Sequence, residues 1–469
     1  MDAPNELIID TPLGECKLNS KDLKDFVLDT RKALDEIMGD DSTTLTFSKY
    51  IEVPPGDLMS NLEEIMAKEF PTTMECFSRY LKLHFDEDEI YNIKFNTQVR
   101  SAPSYTDFNL RGTKYTVPFR AIMNLKHKLN GEKIVIWFIP FDGNNCDIKI
   151  HYDGTREDSV GKGLWSDFMD FFWKESLLVG QCFYADYTLL DRSNFTWDDI
   201  IMSKEHRNEV TRNILDFFDH IEVFKKHGIK LSRGVILNGP PGTGKTLTCN
   251  IIKSQLLDIT TIVVTRDHIQ EIGDISNIYK MAQKMAPALV ILEDLDTIGG
   301  ISRASGDHPL LGEFLNALSG IESNKGVATL ATTNHADKLD WALIDRPGRF
   351  DCRIELGYPN ATIRKAIIKK YLQPLPHEND LDLTYVVRKT EQMSGAYLEE
   401  LIRISFQNAL SLVDYQADKA TITNKDLEYA TELLLKQRGR TIKDMERNNL
   451  IIPNIEDDED EEYYEDFYQ

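Results

Sequence analysis

The sequence is poor in cysteine, in long apolar stretches and in positive charge, and each shortage excludes a class of protein. Its six cysteines stand far apart, with no C-x-x-C pair and no histidine cluster at metal-ligand spacing, which excludes a disulfide framework and a zinc finger. No stretch approaches the roughly 18 uninterrupted apolar residues of a membrane span, and the acidic N-terminus lacks the positive charge of a secretory signal. We therefore expect a chain without a membrane span or secretion signal, in the cytoplasm or another reducing compartment.

The shortage of positive charge affects which binding partners can be expected. The 54 Lys and Arg residues face 77 Asp and Glu residues, which gives a formal net charge of -23 at pH 7. Because such a field repels phosphate backbones, nucleic acid is a disfavoured partner. Part of the negative charge lies in the run Glu456–Glu462. Like charge at this density opposes folding, so we expect residues 441–469 to form a disordered acidic tail.

The 469 residues, of which 41% are hydrophobic, suffice for two to four globular domains of roughly 100–200 residues each. Residues 1–194 have a mixed pattern and are predicted to form an α/β domain. Turn residues Asp142–Asn145 between two β-rich runs predict a hairpin, and the aromatic residues of Trp165–Trp173 suit a packing face better than base stacking. The predicted elements of this domain are helices near Leu23–Met38, Leu58–Phe70 and Trp165–Trp173, and strands at Ile134–Ile139 and Cys146–Tyr152.

Residues 195–357 alternate short apolar strands with helical segments, a pattern typical of a parallel sheet covered by helices. The predicted strands are Gly234–Leu237, Thr261–Val264, Ala288–Leu292 and Gly326–Leu330. Residues 358–440 contain no further strands and are predicted to form a small helical domain. Its helices are expected near Ala361–Leu372, Leu383–Lys389, Tyr397–Leu412 and Lys425–Lys436.

A glycine-rich segment marks a phosphate site. Residues 239–246 read G-P-P-G-T-G-K-T, follow a predicted strand and open a predicted helix over Leu247–Leu257, which is the context that a phosphate-binding loop requires. Lys245 is placed to reach the β- and γ-phosphates, and the Thr246 hydroxyl to hold Mg²⁺. The predicted nucleotide-binding residues are Gly239, Pro240, Pro241, Gly242, Thr243, Gly244, Lys245, Thr246 and Leu247.

Two further strands end in polar residues at the edge of the sheet where such folds bind ligands. Glu293 and Asp294 follow one strand, and we expect Glu293 to hold Mg²⁺ through water and Asp294 to act as general base toward the attacking water. Asn334 follows another strand, where it is placed to contact that water or the γ-phosphate, although a lone Asn at a strand end more often caps a turn. Arg346 and Arg349 lie on a Pro-Gly turn, and in isolation such a pair would more often form a surface salt bridge.

These motifs, in this order and spacing, resemble the AAA ATPase family over Phe195–Lys436. The resemblance implies that the glycine-rich loop is Walker A, that Glu293 and Asp294 form Walker B, and that Asn334 is sensor 1. It also implies that Arg346 and Arg349 are arginine fingers that complete a neighbouring subunit's site, and that Gly395 and Ala396 belong to a lid turn near the adenine. ATP and Mg²⁺ are thus the implied cofactors, and a homo-oligomeric ring of six or seven subunits is the implied assembly.

Within the family, His227–Gly239 and Leu292–Asp296 look most like the branch that contains the mitochondrial translocase of the Rieske iron–sulfur protein, whose N-terminal membrane helix is missing here. The chain departs from the family pattern at two places. Walker B reads Glu-Asp where most members read Asp-Glu, which shortens the presumed base by one methylene and puts the turnover rate, more than activity itself, in question. Asp345 lengthens the usual A-L-x-R-P-G-R segment by one residue.

The function predicted from the sequence is Mg²⁺-dependent ATP hydrolysis coupled to remodelling or translocation of a protein client. An ATP-switched assembly scaffold with slow hydrolysis is the alternative, and a DNA-directed ATPase is disfavoured by the acidic charge. Threading unfoldases of the family carry an aromatic residue and a glycine on the loop after the second core strand. The corresponding segment Asp267–Asp274 keeps Gly273 but has no aromatic residue, so we expect whole-ring action on a folded client with the N-terminal domain as contact surface.

Overall fold

The computed structural model describes residues 6–11, 14–19, 41–65, 69–93, 100–110, 112–141, 145–298, 309–319, 325–344 and 349–447. It divides the chain into two compact units, Met1–Leu189 and Leu190–Gln469. The division precedes the sequence-based boundary at 194/195 because Arg192 already belongs to the second unit. Its guanidinium donates to the carbonyl oxygens of Lys253 and Ile259, both at 2.9 Å.

The first unit is built on antiparallel sheets with helices. Strands β1 and β2 form a two-stranded ribbon, and a larger sheet has the order β3-β9-β8-β7-β4-β5, with β6 paired to β7. The strands are β1 (Glu6–Thr11), β2 (Gly14–Asn19), β3 (Leu58–Ile65), β4 (Phe85–Ile93), β5 (Arg100–Ser101), β6 (Ser104–Leu110), β7 (Thr113–His127), β8 (Lys133–Phe141), β9 (Asn145–Asp153) and β10 (Cys182–Tyr184). The helices are α1 (Asp41–Ile51), α2 (Phe70–His84) and α3 (Val160–Glu175).

The predicted hairpin is confirmed by β8 and β9, which pair in antiparallel register with Val135 opposite His151. Along β9 the buried Cys146, Ile148 and Ile150 alternate with less buried residues, as a sheet with one covered face requires. The predicted aromatic helix is also confirmed, because Phe168 of α3 is fully buried, 4.7 Å from the Phe77 ring of α2. The turn residues 142–144 and the helix predicted at Leu23–Met38 lie outside the described residues.

The predicted helix at Leu58–Phe70 is wrong. Leu58, Leu62 and Ile65 have helical spacing, but residues 58–65 form β3, which pairs with β9 along its whole length. Main-chain hydrogen bonding to β9 therefore overrides the local pattern, and Leu62 is left 61% exposed at the sheet edge. The helix of this region, α2, begins only at Phe70, where Pro71 occupies its first turn.

The second unit contains the predicted parallel sheet and helical domain. Its strands β11 (Ser232–Asn238), β12 (Thr260–Val264), β13 (Ala288–Leu292), β14 (Val327–Thr333) and β15 (Cys352–Glu355) follow the order β12-β13-β14-β11-β15 and are parallel. The helices are α4 (Lys204–Val210), α5 (Asp216–Asp219), α6 (Ile221–Lys226), α7 (Lys245–Gln255), α8 (Asp274–Lys284), α9 (Pro309–Ser319), α10 (Trp341–Ile344), α11 (Ala361–Leu372), α12 (Thr384–Lys389), α13 (Gly395–Leu412) and α14 (Asn424–Arg447).

Two hydrophobic clusters divide this unit. One lies around the sheet, where residues such as Val235, Leu289 and Leu330 are fully buried, and the other joins α11 to α14 around Ile368 and Leu401. The last helix continues to Arg447, beyond the predicted start of the tail at residue 441. Before that point, the guanidinium of Arg438 lies 6.0 Å from the ring centres of Tyr358 and Tyr397, within reach of a cation–π contact. Residues 448–469, with the acidic run, lie outside the described residues.

Candidate active site

The glycine-rich loop connects the carboxyl end of β11 to the first residue of α7. Gly242 and Gly244 adopt left-handed conformations, with φ values of +78° and +101°. A Cβ atom at Gly242 would lie 2.6 Å from the Ser394 hydroxyl oxygen, and one at Gly244 would lie 2.7 Å from Ile200. Both positions therefore require glycine, for backbone conformation and for space. The loop wraps closely around the start of α7, whose N-terminal amide groups favour an anion.

Lys245, the first residue of α7, is buried. Its ammonium group donates to the carbonyl oxygens of Gly239 at 2.5 Å and Pro240 at 2.9 Å. Burial lowers the pKa of Lys245, and the nearby carboxylates of Asp294 and Asp296 act in the opposite direction. A cation held in this way over an anion-binding loop is suited to a phosphate group.

Acidic residues follow β13, next to the phosphate loop. Asp294 has a left-handed backbone with φ of +49°, which Asp tolerates better than most residues, and its side chain is exposed to the cavity. The carboxylate of Glu293 has a different neighbour. The pKa of the Cys249 thiol is raised to about 12, mainly by burial and next by Glu293. Thr246 lies three residues before Cys249 in α7, on the same helix face, and it lines the cavity.

Asn334 directly follows β14, the strand next to β13, and its side chain lines the same cavity as Asp294. The backbone N–H of Asn334 donates to the Asp296 carboxylate at 2.9 Å. The parallel sheet thus brings together Lys245, Asp294 and Asn334, of which the first and last are 89 positions apart in the sequence. This is the expected outcome when parallel strands end at one edge.

The helical domain closes the other side of the cavity. The N–H of Ala396, at the start of α13, donates to the carbonyl oxygen of Gly242 at 3.2 Å, and Gly395 and Ala396 both line the cavity. The cavity has a volume of about 900 Å³, which is ample for a nucleotide. The predicted residues that line it are Pro241, Gly242, Thr243, Gly244, Lys245, Thr246, Leu247, Asp294, Asn334, Gly395 and Ala396.

Sequence reasoning missed two parts of this cavity. One is the segment before α4, where Ile200, Ile201 and Met202 supply an apolar wall suited to a flat base. The other lies on α11 and α13, where burial first and Glu399 second raise the pKa of Tyr371 to about 12. The run of three apolar residues was the available signal for the first part, but apolar residues carry no chemical signature by themselves.

Four predicted residues stand apart from the cavity lining. Gly239 and Pro240 act through their carbonyl oxygens on Lys245, and Glu293 lies beside Cys249. Arg349 precedes β15 and its guanidinium donates to the carbonyl oxygen of Ala342. Arg346 lies outside the described residues.

The donor set fits a nucleotide with Mg²⁺. The left-handed glycines and the buried Lys245 fit phosphate groups. Within the described ranges, no group of three or more His, Cys, Asp or Glu side chains could hold a metal ion. Mg²⁺ needs no such group, because it is commonly held by one or two protein oxygens together with phosphate and water. The Thr246 hydroxyl and the Glu293 carboxylate are oxygens of the required kind.

Comparison with known proteins gives a family for this region. Residues 235–358 match the model of the ATPase family associated with various cellular activities (AAA). This range begins at Val235 within β11, ends at Tyr358, and includes the phosphate loop, Asp294 and Asn334.

Similar proteins include three ATP-dependent zinc metalloproteases named FtsH. That of Neorickettsia risticii is 30% identical over 276 residues, which are 56% of this chain and 41% of that protein. FtsH 3 of Sphaerobacter thermophilus is 30% identical over 312 residues, or 64% of this chain and 60% of that protein. That of Cupriavidus metallidurans is 32% identical over 248 residues, or 50% and 37%. The chain therefore spans less than two thirds of the length of these relatives.

Proposed function

Since the chain carries a AAA-family ATPase domain over residues 235–358, we propose that it hydrolyses ATP with Mg²⁺ in a ring of identical subunits and uses the energy to remodel or translocate a protein client. The observation that carries this proposal is the meeting of Lys245, Asp294 and Asn334 in one cavity of about 900 Å³. A structural glycine turn would need none of these three side chains at the same place.

In the proposed site the phosphate loop and Lys245 bind the phosphates, and the apolar wall at Ile200–Met202 receives the base. Thr246 and Glu293 are the residues that would hold Mg²⁺, and the bound ion would neutralise charge on the phosphate oxygens. Asp294 accepts a proton from water as the water oxygen bonds to the γ-phosphorus, while Asn334 orients that water. The bond from the γ-phosphorus to the bridging oxygen breaks, and ADP and phosphate leave.

The proposal of a ring rests on Arg346 and Arg349. Arg349 bonds to Ala342 rather than lining its own subunit's cavity. We propose that Arg346 and Arg349 stabilise charge on the γ-phosphate held by the adjacent subunit, as arginine fingers do. Such a head-to-tail arrangement closes into a ring when the rotation between subunits permits, and six or seven subunits are proposed here.

The nature of the client action rests on the loop between β12 and α8. Ile269 is buried in the core, whereas Ile272 is 69% exposed beside Gly273. An exposed aliphatic residue offers less contact area than the aromatic ring of a threading unfoldase. We therefore propose that the ring acts on a folded protein or complex through whole-ring conformational change, with residues 1–189 as the contact surface.

The relatives' printed name includes a zinc protease activity, which forms no part of this proposal. Many zinc proteases use the motif H-E-x-x-H, and none of the ten histidines of this sequence stands in it. The relatives above are FtsH proteins. We propose the narrower placement in the Rieske-translocase branch from the segments His227–Gly239 and Leu292–Asp296 alone. No helix in the described part of the chain has the length and hydropathy needed to cross a membrane.

A reducing compartment is proposed from the thiols. Cys76, Cys146 and Cys249 are buried and form no disulfide in the described part of the chain, and burial raises the pKa of each to about 12. Thiols of this kind are poor nucleophiles and need no oxidising environment.

The test of hydrolysis is steady-state phosphate release by the purified full-length chain with ATP and Mg²⁺, using Lys245→Ala as the blank. We expect turnover well above the blank, with no stimulation by double-stranded DNA. Nucleotide-dependent assembly with turnover at the blank level would support an ATP-switched scaffold instead. Stimulation by DNA would support a DNA-directed ATPase.

The test of client action begins with an affinity pull-down by Asp294→Asn, which is expected to trap the client in the ATP state. A stably folded fluorescent reporter is then fused to the client and followed during ATP turnover. We expect the fluorescence to persist. Loss of fluorescence that requires ATP and is abolished by Ile272→Ser would establish threading and overturn the proposed mode of action.

A further inference from the structure

We propose that Asp296 is the positioning residue for Asn334, and that it fixes the distance between Asn334 and Asp294 by joining the ends of two neighbouring strands. The inference rests on the proposed ATPase function, because it concerns how the water-orienting groups of that site are held.

Asp296 lies in a short 3-10 turn after β13, Leu295–Thr297, and its side chain is half-buried. One oxygen of its carboxylate, Oδ1, accepts a hydrogen bond from the Thr333 hydroxyl at 2.7 Å and a second from the Asn334 backbone N–H at 2.9 Å. Thr333 is fully buried. The carboxylate therefore binds the last residue of β14 and the first residue after it, where the chain turns into the cavity.

A second set of hydrogen bonds holds Asp294, and in one of them the chain just after β13 donates to β14. The N–H of Asp294 donates to the hydroxyl of Thr332 at 2.9 Å. The carbonyl oxygen of Asp294 accepts from the N–H of Thr297 at 2.8 Å and from its hydroxyl at 2.7 Å. Asp294 is thus held on both sides in its left-handed conformation, and one of these contacts comes from the residue before Thr333. We call the set Asp296, Thr332 and Thr333 the strand-end clamp.

The strand-end clamp would matter for the alignment of the attacking water. A water attacking phosphorus has to be aligned by Asp294 and Asn334 together, and a misplacement of about 1 Å costs about 100-fold in rate. Asp has one rotatable side-chain bond fewer than Glu, so the position of the Asp294 carboxylate follows its backbone closely. With the Glu-Asp order of this chain, backbone positioning therefore matters more than it would for a longer base.

Asp296 has a competing role, which the experiment separates. Its carboxylate also favours the charged form of Lys245, so it could act by charge alone. Asp296→Asn removes the charge and keeps an amide oxygen that can accept both hydrogen bonds. Asp296→Ala removes the charge and the accepting oxygen together. Asp258→Ala, an exposed aspartate after α7, serves as the matched control.

The measurements are kcat for ATP hydrolysis and the Kd for ATP of the full-length chain. We expect Asp296→Ala to lower kcat about tenfold or more, with ATP Kd within about twofold of wild type. Asp296→Asn is expected to recover most of that loss. In a double-mutant cycle, adding Asp296→Ala to Asn334→Ala is expected to cause little further loss, because the two residues act through one position.

Equal loss in Asp296→Asn and Asp296→Ala would assign a charge role and overturn the proposal, as would an unchanged kcat in Asp296→Ala or fully additive effects in the cycle. If Asp296→Ala does not fold, Asp296→Ser is used in its place, because the serine side chain is too short to reach β14. The outcomes that overturn the proposal are then the same. Failure of the proposed function is distinguishable, because wild type would then turn over no faster than Lys245→Ala.

Discussion

Both units of the chain combine helices with sheets, but they differ in the direction of their strands. In the first unit the strands are antiparallel, so that successive strands end at opposite edges and polar side chains are spread along them. In the second unit the strands are parallel, and the loops after β11, β13 and β14 all open at one edge. Chemistry that needs several side chains at one point is therefore built in the second unit, whereas the first unit offers extended surface.

The cavities of the two units repeat this contrast. The first unit has a groove of about 460 Å³ lined by Tyr80, Phe171 and surface charges such as Asp167 and Lys174, and its lining in the described ranges contains no glycine. The cavity of the second unit has about twice this volume and receives the phosphate loop. The comparison predicts that substitutions affecting ATP act from the second unit, and that changes in the first unit leave the nucleotide site intact.

Lys245→Ala is expected to have the largest effect, the loss of measurable ATP binding. The substitution removes the buried cation from the phosphate loop, so we expect Kd for ATP to rise at least about 100-fold, as for a charge-assisted contact to a desolvated phosphate. Isothermal titration with ATP and Mg²⁺ measures this, with Lys253→Ala on the same helix as control. ATP binding that survives in Lys245→Ala would reveal a second nucleotide site and break the contrast between the units.

Arg349→Ala is expected to lower kcat by up to about 10³-fold while ATP still binds, because an arginine finger acts on charge that develops during transfer. If Arg349 acts in the adjacent subunit, mixing Arg349→Ala with Lys245→Ala subunits restores part of the activity, since some interfaces then combine one intact loop with one intact arginine. Arg353→Ala, on an exposed arginine of β15, is the control. Full activity in a strictly monomeric protein would contradict this prediction.

Asp294→Asn is expected to reduce kcat at least about tenfold and to leave Kd for ATP near the wild-type value, because the amide cannot accept the proton of the attacking water. Phosphate release and nucleotide titration separate the two quantities. Asp258→Asn provides an exposed aspartate as control. Wild-type turnover in Asp294→Asn would show that another group acts as the base.

The sequence was informative where chemistry requires a fixed spacing. The G-x-x-x-x-G-K-[ST] pattern located the loop between β11 and α7, and fully apolar strands such as β13 could be read as buried parallel strands. Helix α11 has the bounds expected from its helical pattern, Ala361–Leu372, and the structure shows that the Asn360 side chain caps its first turn by accepting a hydrogen bond from the N–H of Ile363.

The sequence was misleading where partners distant in the chain decide. Leu58–Ile65 has helical spacing but forms a strand, because β9 supplies hydrogen bonds from residues 146–153. The role of Asp296 was missed for the same reason, since Thr333 lies 37 residues away and an Asp in a polar turn has no distinctive pattern. The base-binding wall at Ile200–Met202 consists of ordinary apolar residues, whose exposure to a cavity only the fold determines.

Phe168→Ala is expected to have the smallest effect on ATP and a large effect on the first unit. Its ring is fully buried on α3 and contacts Phe77, Tyr80 and Trp165 at ring-centre distances of 4.7, 5.7 and 5.0 Å. Truncation to Ala leaves a cavity among these rings, and such substitutions cost about 3–5 kcal/mol of unfolding free energy. The neighbouring Trp165 provides a fluorescence signal for urea unfolding of this region. Leu129→Ala, on a side chain that is 89% exposed, is the control and should change stability little.

Since the cavity lining that the structure describes begins at Asp199, within the second unit, Kd for ATP of Phe168→Ala should stay within about twofold of wild type at a temperature where the first unit is still folded. Client capture by Asp294→Asn carrying Phe168→Ala should fall as the first unit unfolds, because that unit is the proposed contact surface. A tenfold weaker affinity for ATP in Phe168→Ala would mean that the first unit supports the nucleotide site energetically, and the division of labour between the two units would have to be abandoned.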